Sequence, residues 1–212
     1  MKFQQKGVSM TVKPPIPALL VIPGCEHDFG TLYAIATAYA HSGQMLNEHA
    51  EQTEEIALTF PAMVCSSFAV ELFLKFFLTL DNTDNPTLPQ DDRKGHYLVK
   101  LWERIKPIHQ NLIASMFRNP SRIPIAAGLD TRKTLLLQAL DSIGAQPFVE
   151  WRYAHEIKQP KMMSQGAVAE VLDAVGYAAE HVMNERRAAA APSVERVPSE
   201  HYPKATLVIV NE

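Results

Sequence analysis

Apolar residues recur at helical spacing along most of the chain. From residue 31 to about 60, Leu32, Ile35 and Ala36 share one face, and Thr31 can cap the start. Gly43 is expected to kink this helix or split it in two. PAMVCSSFAVELFLKFFLTL, 61–80, is apolar nearly all round, which predicts a helix buried on every side. Pro61 suits its first turn, where a missing N–H costs nothing, and Ser66 and Ser67 read as packing residues. HYLVKLWERI, 96–105, is amphipathic, with Leu98, Leu101, Trp102 and Ile105 on one face. Pro107 falls near its end, and a weaker helix follows over 108–117. TRKTLLLQALDSI, 131–143, sets Leu135, Leu136 and Leu140 together. The short run FVEWRYAHE, 148–156, reads as helical. The last long helix, about 164–190, keeps a 3.6-residue rhythm through Val168, Val171, Leu172, Val175, Ala178, Ala179 and Val182.

Between these stretches the chain is rich in turn formers. DNTDNPTLPQDDRKG, 81–95, offers its backbone local alternatives to helix, and RNPSRIPIAAGLD, 118–130, is irregular. The ends differ in character. PALLVIPG, 17–24, and the β-branched ATLVIV, 205–210, are strand-like. Three regions follow: an arm over 1–30 with a possible short strand, a helical bundle over 31–190, and a linker with a possible strand over 191–212. The expected fold is all-α, an antiparallel helical bundle with short β-like segments at both ends.

With 212 residues, 47% of them hydrophobic, the chain can bury one sizeable core. A formal net charge of −3 gives no overall basic excess of the kind that advertises nucleic acid. Cys25 and Cys65 form neither a metal-spacing motif nor a disulfide framework, which suits a reduced, cytoplasmic setting. The opening MKFQQKGVSMTVKPPIP lacks the apolar core of a secretion signal. Residues 61–80 have the length of a membrane span, but Glu71 and Lys75 would each cost roughly 2.5–3.5 kcal/mol at its centre. No membrane partner is expected. Glycine-rich phosphate loops are absent, so no nucleotide cofactor is expected. Nor is a metal: Glu26, His27 and Asp28 are adjacent and suit a turn, and His41, Glu48 and His49 form no HxxxH pair.

Three segments set polar groups among strongly apolar neighbours. ELFLK places Glu71 and Lys75 at i, i+4, GHYLVKLW puts His96 at a helix start, and WRYAHE carries Arg152, Tyr153, His155 and Glu156. Glu71, flanked by Phe68, Leu72 and Leu74, is expected to be buried, and a buried carboxylate needs a partner. Arg152, whose planar fork matches a carboxylate, is the expected one, which packs the 61–80 helix against 148–156. His96 can cap its helix or donate to Glu71 or Glu156. Arg118, Arg122, Arg132 and Lys133 form a modest basic cluster able to make a few RNA phosphate contacts.

The ELxLK run on a long apolar helix, the GHxLxxL helix and the later WRYxxE segment together resemble the HEPN superfamily of small helical bundles, over about residues 55–185. The resemblance implies a four- or five-helix bundle, often a homodimer. It also implies links to RNA cleavage, toxin–antitoxin pairs and phage defence. Nuclease members carry Arg and His separated by four to six residues on a late helix. Here Arg152 and His155 have two residues between them. Arg104 and His109 keep a spacing of four, but in the GHxLxxL region and with Pro107 between them. The expected function is therefore a non-catalytic module that binds RNA or a protein partner, in bacterial stress or phage defence. The alternative is a metal-independent endoribonuclease in which Arg152 and His155 act across a homodimer, the His moving protons and the Arg stabilising the phosphorane.

Overall fold

In the computed structural model, residues 29–81, 95–148 and 164–190 are described, and all of them lie within a unit spanning Gly24–Pro192. The chain opens on helix α1 (Phe29–Thr53), turns at Glu54 with φ 58° and a single 3-10 turn (Ile56–Leu58), and returns as α2 (Thr59–Asp81). Their aromatic contacts fix the direction. Phe29 meets Phe76 at 6.2 Å between ring centroids, Tyr33 meets Phe73 at 6.2 Å, and Tyr39 meets Phe68 at 4.7 Å. Residue numbers rise on one helix as they fall on the other, so the pair is an antiparallel hairpin.

Gly43 does not split α1, one of the two outcomes expected of it. The helix is continuous through it, and the glycine lies where α1 crosses α2. A Cβ there would overlap the Ser66 hydroxyl and come within 3.0 Å of the Ala62 carbonyl oxygen and 3.1 Å of the Ser66 nitrogen. The missing side chain serves close approach of two backbones. Thr31 is not a cap, because the helix already runs at Phe29. Ile35 is 42% exposed and stays outside the core that Ala36 enters.

Helix α2 is the central element, packed against α1, the long helix Gln165–Ala190 and the helix that opens at Leu98. The segment Ile56–Asp81 is long and apolar enough to cross a membrane by length and composition. From Ala69 onward, however, every residue except Lys75 is buried by protein. That accounts for its near-continuous apolarity: both sides of the helix are covered.

Four helices complete the set: α3 (Leu98–Arg104), α4 (Pro107–Met116), α5 (Leu129–Ile143) and α6 (Gln165–Ala190). Pro107 opens α4, with Ile105 and Lys106 extended ahead of it, so a helix corner separates Arg104 from His109. Leu98, Leu101, Trp102 and Ile105 are all buried, as are Leu136, Leu140, Val168, Val171, Val175 and Val182. Each fully buried side chain of this size contributes roughly 1.5–3 kcal/mol. Helix α6 runs antiparallel to α1. Gln165 donates to Asn47 Oδ1 at 2.6 Å at one end, and the Arg186 guanidinium lies 4.7 Å from the Phe29 ring at the other. Every regular element among the described residues is helical, which makes this an all-α bundle. The strand-like stretches 17–24 and 205–210 lie outside the described residues.

Candidate functional site

The first polar centre is built on α2. Glu71 is 1% exposed. Its Oε1 accepts from Lys75 Nζ at 2.6 Å, one turn along the same helix. His96 Nδ1 lies 3.0 Å from both carboxylate oxygens. For that contact to be attractive the imidazole must carry its proton on Nδ1. His96 is held there because the chain locks two residues later: Leu98 is fully buried, and its N–H donates to the Ala145 carbonyl at 3.2 Å. Both partners reach water, with side chains 18% and 39% exposed for Lys75 and His96. The carboxylate itself does not, so its charge is balanced almost entirely by these contacts.

A second centre stands at the far end of α2, roughly 15 Å along the axis from Glu71. Asp81, the last residue of the helix, has a side chain 3% exposed, and its Oδ1 lies 2.6 Å from His109 Nδ1. Its Oδ2 accepts the Lys106 backbone N–H at 2.7 Å, and Lys106 Nζ donates to the Asp81 carbonyl. Lys106 is the residue that precedes α4, so the carboxylate also sits at the positive end of that helix. The imidazole tilts against Phe77 at 5.4 Å. A buried carboxylate that holds His Nδ1 fixes the ring and its tautomer, leaving Nε2 as the proton-accepting atom, which is the geometry of an oriented base. In the sequence Asp81 is inconspicuous, because it opens a turn-rich stretch. The only available signal was the Arg104 to His109 spacing.

Residues Arg152, Tyr153, His155 and Glu156 lie outside the described residues, and with them the expected Glu71–Arg152 pairing. Phe148, the first residue of FVEWRYAHE, stacks on Phe68 with centroids 4.1 Å apart, three positions before Glu71 on α2. The basic cluster is engaged within the chain. Arg118 donates to Glu170 Oε2 through Nε at 3.0 Å and Nη2 at 2.9 Å. Arg122 lies 4.2 Å from the centre of the Tyr177 ring, Arg132 donates to the Phe117 carbonyl, and Lys133 is half-buried on α5. His41, Glu48 and His49 are spread along exposed positions of α1. Among the described residues, no three His, Cys, Asp or Glu side chains gather as they would around a metal ion.

No family model matches the chain, and neither the curated proteins nor the solved structures contain a significant match. Fold and site therefore define its class as an all-helical bundle built around a central apolar helix, with a carboxylate–histidine pair towards each end of that helix's buried half.

Proposed function

We propose that this chain is a HEPN-like bundle that works by binding, as a homodimer, to a protein or RNA partner in bacterial stress or phage defence. The observation that carries the non-catalytic reading is the state of Glu71: its oxygens are already bonded to Lys75 and His96. A charge committed in this way stiffens the bundle and leaves no idle group for chemistry. The internal engagement of Arg118, Arg122 and Arg132 favours a protein partner over RNA.

A second reading, metal-independent RNA cleavage, draws support from the 2.6 Å contact between Asp81 and His109, five residues after Arg104. In that reading the Arg152 and His155 pair is the alternative centre. One experiment separates the two readings: incubation of the chain with a mixed RNA pool in chelator, beside His109→Ala and His155→Ala. The binding reading expects no cleavage by the wild type. Cleavage lost with one His variant that still folds would replace it with the nuclease reading and identify the residue.

A further inference from the structure

A groove of about 480 Å³ opens between α1, α2 and α6, within the size range of small-molecule sites. Its floor is apolar, formed by Ala62 and Met63 of α2 and Val168 and Leu172 of α6. One wall is a stripe on α6 of Asp173, Tyr177 and Glu180, whose i, i+4, i+7 spacing sets all three on one face. The two carboxylates are about 10 Å apart along the helix axis, with the aromatic ring between them.

Side-chain amides add acceptors. Gln44 of α1 commits an amide N–H to Glu48 at 2.7 Å, and Gln165, at the start of α6, commits one to Asn47 of α1 at 2.6 Å. Among the described lining residues, His41 is the one that can carry positive charge, against two carboxylates. A cation is already present beside the stripe: the Arg122 guanidinium stacks on Tyr177 at 4.2 Å. Burial raises the Asp173 pKa, and the Arg122 charge partly offsets that rise. The stripe thus already holds a cation against its ring and beside a partly desolvated acid.

We propose that this groove binds a linear aliphatic amine with two or more ammonium groups. Its methylenes lie on the apolar floor, its charges meet Asp173 and Glu180, and Tyr177 adds a cation–π contact between them. The proposal uses residues separate from both carboxylate–histidine pairs, so it stands whichever reading of those pairs holds.

The test is titration calorimetry of the full chain with spermidine, with propylamine as the single-charge control. Spermidine should bind saturably, and propylamine at least about tenfold more weakly. The double substitution Asp173→Asn with Glu180→Gln should weaken spermidine binding by about tenfold or more. Both positions are exposed, so a melting temperature no lower than that of the wild type checks that the fold is intact. Arg122→Gln removes the competing internal cation and should tighten binding. The proposal is overturned by the absence of saturable heat with spermidine, by equal affinity for propylamine, or by an affinity that the double substitution leaves unchanged. Weaker binding in Arg122→Gln would overturn the placement of the amine at Tyr177.

Discussion

Gly43→Ala puts a methyl group at the crossing of α1 and α2. The new Cβ would overlap the Ser66 hydroxyl and approach the Ala62 carbonyl oxygen to 3.0 Å and the Ser66 nitrogen to 3.1 Å. The hydroxyl can rotate away. The two backbone atoms belong to α2 and give way only if the helices separate. Two effects of opposite sign compete. In an unobstructed helix interior, Gly→Ala stabilises by about 1 kcal/mol. Forcing an extra carbon into a close-packed contact costs about 1–3 kcal/mol. Because the blocking atoms are backbone, the cost should fall in the upper part of its range, about 2–3 kcal/mol, for a net loss of roughly 1–2 kcal/mol. Gly43→Val should lose more, since its branched side chain meets the same atoms. Adding Ser66→Ala to Gly43→Ala should recover only a minor part. Urea denaturation followed by tryptophan fluorescence, to which the buried Trp102 contributes, measures these differences. A Gly43→Ala protein as stable as the wild type, or more so, would refute the close crossing and the hairpin register that rests on it.

Glu71→Ala should cost about 2–3 kcal/mol, less than for a fully buried pair because Lys75 and His96 can rehydrate. A loss under about 0.5 kcal/mol in the same urea assay would mark the cluster as an ordinary surface pair. Cys65 is half-buried and its thiol pKa is raised by burial, so it should react with iodoacetamide more slowly than a free cysteine peptide at neutral pH, as mass spectrometry would show. For Asp173 the folded pKa is raised, chiefly by burial, so the folded state holds the proton more tightly than the unfolded chain does. Stability from this group is gained as pH falls through the folded pKa and is absent above it. Asp173→Asn should therefore raise the melting temperature near neutral pH, with an advantage that shrinks on acidification. A constant offset across the pH series would contradict the assignment.

The helices were legible in the sequence because a one-sided or all-round apolar pattern has a direct local cause. Leu98, Leu101, Trp102 and Ile105 had to share a face, and a face that apolar had to be covered. The burial of Glu71 was legible for the same reason, since it stands among Phe68, Leu72 and Leu74, and its i+4 partner Lys75 follows from helix geometry alone. Only tertiary structure decided the remainder. Asp81 and His109 are 28 residues apart and meet because the α3–α4 corner returns to the end of α2. Gly43 looked like a break because a missing side chain reads the same whether it frees a backbone or admits a neighbouring one. Ile35 satisfied the helical period yet stayed exposed, because periodicity defines a face and not the partner that covers it. The groove beside Asp173 joins residues from three helices, a meeting that depends on how those helices pack and that no local pattern encodes.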